Sequence, residues 1–140
     1  MRRMAALAVF AILAAVVGGL ADDARAQQAQ KKSEHWAALT PDSNAHAYFG
    51  WGTTREKANA AALRTCRRVS RGCAVPPGST PNLNDIFALM CCTNPRLACA
   101  VYPAAAKEMA HEKVTGLFID AHFSNCAVKG YYSARTGKRL

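Results

Sequence analysis

Six cysteines and four clustered arginines are the residues of this 140-residue chain whose types and spacing bear most directly on chemistry. The cysteines are Cys66, Cys73, Cys91, Cys92, Cys99 and Cys126. An even number without a Cys-x-x-Cys pair reads as up to three disulfides, not as a redox thiol centre. Cys66 to Cys73 and Cys92 to Cys99 share one spacing, and the preferred pairing is Cys66–Cys73, Cys92–Cys99 and Cys91–Cys126. Closing a loop as short as Cys66 to Cys73 stabilises by roughly 2–3 kcal/mol in the chain-entropy model. Were Cys91 or Cys92 left free beside a histidine, it would be a thiol nucleophile. A zinc site built from these cysteines with His111 or His122 matches no common ligand spacing, so neither metal nor cofactor is expected.

The arginines are Arg64, Arg67, Arg68 and Arg71. Like charges four apart, as in Arg64 and Arg68, cost a helix about 0.2–0.5 kcal/mol, whereas cations in its last turn gain about 0.3–1 kcal/mol from the helix dipole. The two effects nearly cancel, so stability neither forbids the cluster nor requires it. Its chemistry is attraction to an anionic partner: an envelope polymer, a lipid or an acidic protein. Tyr131 and Tyr132 beside Lys129 and Arg135 would suit base stacking, but an exported location disfavours nucleic acid. Asp85, Glu108, Glu112 and Asp120 are the carboxylates from which a glycan-hydrolysing pair would be drawn. The same residues serve more simply as caps and solvated faces, and His46, His111 and His122 as surface or rim residues. The chain lacks a Gly-x-Ser-x-Gly motif, and His111-Glu112 is not followed by a second histidine at zincin spacing.

The elements that must hold these residues can be read from pattern. The stretch Thr53 to Val75 is central: Thr53 and Glu56 form a capping box, and Ala58, Ala62, Cys66 and Val69 make a narrow face of small side chains that lets a helix lie close on a sheet. Gly72 can end this helical region. Before it, Trp36–Thr40 and Ala45–Trp51 read as two strands of a hairpin around Pro41-Asp42-Ser43-Asn44. After it, Pro76–Asn82 reads as a loop. Leu83, Ile86, Phe87 and Met90 recur at helical spacing and predict a second helix. A strand over Arg96–Tyr102 follows, then a third helix from Pro103 over Ala104–Val114 that Gly116 terminates. Alternation predicts a strand over Leu117–Phe123 and another over Cys126–Ser133. The triplet Cys-Ala-Val recurs at Cys73, Cys99 and Cys126, read as three tethered strand starts and not as a solenoid.

Met1-Arg2-Arg3 followed by an uncharged apolar run from Ala5 to Leu20 has the layout of a secretory signal, shorter than the roughly 20 residues a membrane span needs. Cleavage fits after Ala21 or Ala26, with Ala26 preferred. The expected organisation is a signal peptide over 1–26, a disordered leader over 27–34, one domain over 35–133 and a basic, frayed tail over 134–140. The whole chain carries 18 Lys and Arg against 9 Asp and Glu, a formal charge of +9. Such a charge suits an anionic partner. Small exported domains are commonly reinforced by disulfides.

The order Trp36-Ala37-Ala38, Tyr48-Phe49-Gly50-Trp51, Thr54 and Ala58, Ala61-Ala62-Leu63 leading to Cys66, then Cys73-Ala74-Val75 resembles the small exported bacterial domains grouped as domain-of-unknown-function family 4189. Cys99-Ala100-Val101 would supply that family's later Cys-Ala strand. The Cys91-Cys92 pair, Cys126 and the long final segment depart from the pattern. The resemblance implies export and a compact stapled domain, and brings no catalytic residues. The fold expected is α+β, a small, mostly antiparallel sheet against an Ala-rich helix, stapled by disulfides. The function expected is a periplasmic or secreted binding module with a basic face, touching the membrane only through its signal segment. The rival is a small secreted enzyme acting on a cell-wall or host substrate.

Overall fold

The computed structural model describes residues 35–140; the signal peptide and leader expected over 1–34 lie outside them. Eight elements follow in order: β1 Trp36–Pro41, β2 Ala47–Gly52, α1 Arg55–Arg67, β3 Gly78–Thr80, β4 Ile86–Asn94, β5 Ala98–Ala104, α2 Lys107–Asp120 and β6 Ser124–Ser133. The α+β class, the antiparallel pairing and the stapling by disulfides are as expected. The strands, however, divide between two three-stranded sheets, ordered β2-β1-β3 and β5-β4-β6.

Parity along β1 and β4 dictates the layering, because alternate side chains of a strand face opposite ways. Ala37 and Leu39 of β1 pack with Phe87, Leu89 and Cys91 of β4 and Val101 of β5, so the two sheets lie face to face. Ala38, of the opposite parity, packs under Ala58 and Ala62 of α1. On the far side, Ala88, Met90 and Cys92 of β4 pack under Ala110, Val114 and Phe118 of α2. The order of layers is therefore α1, first sheet, second sheet, α2.

The chain runs through one plan twice. Each half is ββαβ with its first strand central, its hairpin partner on one side and its post-helix strand on the other. The halves keep register: Ala58, Ala62 and Cys66, buried on α1, have Ala110, Val114 and Phe118 as counterparts 52 positions on. Leu39 faces Gly78 across the first sheet as Leu89 faces Gly130 across the second. Substituted side chains set the spacing in each half. A Cβ on Gly50 would run into the backbone of α1, 2.6 Å from the Ala58 carbonyl oxygen and 2.7 Å from the Ala61 carbonyl carbon. Its counterpart is Tyr102, and in that half Val114 and Phe118 fill the space that Ala62 and Cys66 leave closed.

Several expectations need correction. The apolar run of β4 is a strand and not a helix: as the central strand of a sheet covered on both faces it is buried on both sides, so its hydrophobicity is continuous and mimics helical spacing. Helix α2 runs through Gly116 and Leu117 and ends where His122 takes a left-handed φ of 59°. There the Phe123 N–H donates to the Phe118 carbonyl at 2.9 Å and the two rings pack at 5.6 Å, a Schellman ending that absorbs most of the expected strand Leu117–Phe123. The cap of α1 is Thr54, whose hydroxyl accepts from Lys57 N–H; Thr53 accepts instead from the Lys57 ammonium. The tail is not frayed: Ala134 is fully buried, Ser133 N–H donates to the Lys138 carbonyl and Leu140 N–H to that of Tyr131. The Trp51 indole N–H closes over it onto the Ala134 carbonyl at 3.0 Å. The expected loop also yields β3, which completes the first sheet.

All six cysteines are paired, as Cys66–Cys73, Cys91–Cys99 and Cys92–Cys126. The first is the expected bridge, and the other two exchange partners. Neighbours on a strand point to opposite faces, so Cys91 and Cys92 cannot be interchanged. Cys91 lies opposite Cys99 on β5, facing the first sheet, while Cys92 lies opposite Cys126 on β6, facing α2. Of the Cys-Ala-Val triplets, those at Cys99 and Cys126 lie in strands. The triplet at Cys73 precedes β3, with Ala74 N–H bonded to the Pro41 carbonyl.

Candidate functional site

The arginine cluster sits where α1 ends. Thr54 starts the helix, its buried alanines press the helix onto β1 and β2, and Arg64 and Arg67 occupy the last turn with Arg68 as C-cap. Val69 and Ser70 N–H both donate to the Cys66 carbonyl, and the Cys66–Cys73 bridge then folds the chain back, carrying Arg71 outward. All four arginines are exposed. Among the described residues none of them takes part in an ion pair or a side-chain hydrogen bond. By contrast, Arg55 pairs with Glu56 at 3.4 Å, Arg135 donates to Asn84 at 2.6 Å and Arg139 to the Lys129 carbonyl at 2.7 Å. The chain contains no Asp or Glu between Glu56 and Asp85, so no acidic neighbour in sequence neutralises the cluster.

The cluster has two flanks. Arg64 lines a groove of about 570 Å³ with Trp51, Thr53, Glu56, Lys57 and Ala60. On the other flank the 72–75 segment meets the β4–β5 turn in a depression of about 380 Å³ lined by Gly72, Val75, Arg96 and Leu97. Arg96 thus joins the basic end of the molecule, which the sequence reading missed. The readable signal was the stretch from Ile86 to Lys107, which also lacks any carboxylate.

Two carboxylates lie near the cluster: Glu56, which shares the groove with Arg64 and pairs with Arg55, and Asp42, which is buried and fully engaged. Burial pushes the Asp42 carboxyl upward. His46 N–H, the His46 ring, Asn44 N–H and the Tyr48 hydroxyl outweigh that and hold it below the ordinary 3.8. It ties the β1–β2 turn and lines the same depression as Arg96 with both carboxylate oxygens already bonded. For Tyr48, burial and then the bond to Asp42 push the phenol upward.

The enzyme rival fares differently residue by residue. His111, Glu112 and Asp120 do share a shallow depression of about 700 Å³ with Gly116 and Ile119 of α2 and Tyr102 of β5. The His111 Nδ1 is 2.9 Å from the Tyr131 hydroxyl, and the Lys107 ammonium sits 4.5 Å over the Tyr131 ring. No cysteine lines that depression, and with every cysteine bridged no thiol nucleophile is available. Asp85 is spent on structure, accepting from the Thr80 hydroxyl at 2.6 Å and the Asn82 amide at 2.8 Å. His46 serves Asp42, and His122 ends α2. Tyr132 packs against Phe49 at 5.8 Å while Tyr131 turns to His111, as adjacent strand residues must, so the pair offers no single stacking platform. Among the described residues no group of three His, Cys, Asp or Glu is placed to hold a metal, and no helix is long and apolar enough to cross a membrane.

Three bridges in so short a chain belong to an oxidising environment outside the cytoplasm. Compared with protein-family models, with curated proteins and with solved structures, the chain finds no match in any of the three.

Proposed function

We propose that this protein is a periplasmic or secreted bacterial binding module that captures an anionic partner on the end of α1. The observation that carries this reading is a set of exposed arginines, Arg64, Arg67, Arg68 and Arg71, left without acidic partners while other arginines of the same chain are bonded. Exposed unpaired charge of one sign raises the local concentration of opposite charge and speeds its capture. The likeness of Trp36 to Val75 to domain-of-unknown-function family 4189 is consistent with this, since it implies export and a compact stapled domain.

The test is Arg64→Glu, Arg68→Glu and Arg71→Glu together. These side chains are exposed and bonded to nothing, so the disulfides and the circular dichroism spectrum should be unchanged. Retention on immobilised heparin and on polyphosphate should be lost for the triple variant. Undiminished retention would refute the reading.

A further inference from the structure

Three of the most exposed aliphatic side chains of the described domain gather at the same end as the arginines. Val69 is 72 % exposed, Val75 67 % and Leu97 52 %. Single exposed aliphatics are ordinary on a protein surface, but Val75 and Leu97 share one depression with Arg96, beside the loop closed by Cys66–Cys73 that carries Val69 and Arg71. They are also held out: Ala74 donates its N–H to the Pro41 carbonyl at 2.9 Å and accepts from the Thr40 hydroxyl at 2.6 Å. Cys91–Cys99 likewise ties the base of the turn that carries Arg96 and Leu97. Val75 therefore projects from a pinned backbone and cannot fold inward.

We propose that this end seats the protein on the headgroup layer of an anionic lipid bilayer, Arg68, Arg71 and Arg96 on the phosphates and Val69, Val75 and Leu97 dipping among the glycerol and upper acyl groups. The inference rests on the anionic-partner reading above and names that partner's class. The side-chain types favour a bilayer over other polyanions. Single-stranded nucleic acid is bound on aromatic platforms, and no aromatic residue lines this depression. Aliphatic groups flanked by basic ones are what interfacial binding uses, buried apolar area adding to the attraction of anionic headgroups. Asp42 also lines this depression, but its carboxylate is buried and bonded to Asn44 N–H, His46 and the Tyr48 hydroxyl, and no exposed carboxylate lines it.

The experiment is co-sedimentation of the exported, oxidised protein with vesicles of phosphatidylcholine alone and of phosphatidylcholine with phosphatidylglycerol, run beside retention on heparin. The N-terminus of the recovered protein is read by mass spectrometry, and the preference for anionic over neutral vesicles is the readout, since an apolar leader would partition into both. The wild type should prefer anionic vesicles, each arginine brought to the surface strengthening binding roughly fivefold. Val75→Ser with Leu97→Ser should weaken vesicle binding by about tenfold or more while leaving heparin retention intact. The Arg64→Glu, Arg68→Glu, Arg71→Glu variant should lose both. Undiminished vesicle binding by the double serine variant overturns the proposal. So does a wild type without preference for anionic vesicles: if heparin still retains it, the bilayer alone is refuted and the partner is a soluble polyanion or glycan. If heparin does not retain it, the anionic-partner reading falls as well.

Discussion

Gly50→Ala is the substitution that most directly interrogates how α1 meets the first sheet. The added methyl group would collide with helix backbone at Ala58, Ala61 and Ala62, and backbone cannot step aside as a flexible side chain can. Relief requires the helix to move outward, opening the contact among Ala38, Ala58 and Ala62, all fully buried. Overpacking of this kind costs about 1–3 kcal/mol. Replacing glycine by alanine also restricts the unfolded chain, which returns about 0.4–1 kcal/mol where the native conformation permits it. The net loss is about 1–2 kcal/mol. For a domain of this size the urea dependence is about 1–3 kcal/mol per molar, so the unfolding midpoint should fall by roughly 0.5–1 M. Urea denaturation followed by Trp fluorescence, with the disulfides oxidised, measures it. Gly116→Ala is the matched control, because nothing lies within 4 Å of a Cβ there. In a helix interior alanine gains about 0.5–1 kcal/mol over glycine, so this midpoint should rise. If Gly50→Ala left the midpoint unchanged, the close approach of α1 to β2 would be wrong.

Other outcomes follow from single features of the fold. Cys91→Ser with Cys99→Ser should leave no titratable thiol, whereas Cys92→Ser with Cys99→Ser should leave two, because Cys91 and Cys126 face opposite sides of the second sheet. His122→Gly should stabilise by about 0.5–1 kcal/mol in thermal unfolding, since glycine takes the left-handed ending of α2 without a Cβ clash. Asp42→Ala should destabilise by about 1–3 kcal/mol, as it takes the acceptor from part-buried donors of Asn44, His46 and Tyr48. The Asp42 carboxyl is lowered in the folded state, so its contribution is present above 3.8 and is lost as pH falls through the lowered value. The fall of stability with acid, from 3.8 down to the lowered value, should therefore be shallower in Asp42→Asn.

Legibility divided along physical lines. The first half was readable where its signals are local, in alanines at helical spacing under Gly50 and turn residues Pro41 to Asn44 that join two strands, whereas the cap fell one residue later, on Thr54, and the short β3 was missed. The second half failed where burial on both faces erased periodicity in β4, and where the ending of α2 depended on His122 adopting a conformation that glycine normally takes. The partners of Cys91 and Cys92 hinge on strand register, which spacing along the chain does not encode. At the candidate site the arginines were visible from charge alone. Arg96, Val75 and Leu97 were not, because only the folded sheets bring the turn after β4 beside the loop before β3.

The duplicated ββαβ plan offers an internal control on the arginines themselves. At the equivalent positions of α2 and its ending, Arg64, Arg67, Arg68 and Arg71 are matched 52 residues on by Gly116, Ile119, Asp120 and Phe123. The same plan is therefore built without a single cation at those positions, and the cluster is no requirement of the fold. Changing all four arginines to alanine removes the favourable dipole interaction of about 0.3–1 kcal/mol and also the like-charge repulsion of about 0.2–0.5 kcal/mol. Alanine adds slightly to helix propensity. Stability should stay within about 0.5 kcal/mol of the wild type in urea denaturation, as is usual for exposed positions. Capture of anionic material should nonetheless collapse. A loss of stability above about 2 kcal/mol would show instead that the arginines hold the end of α1 together, and that the second half solves with Phe123 packing what the first solves with charge.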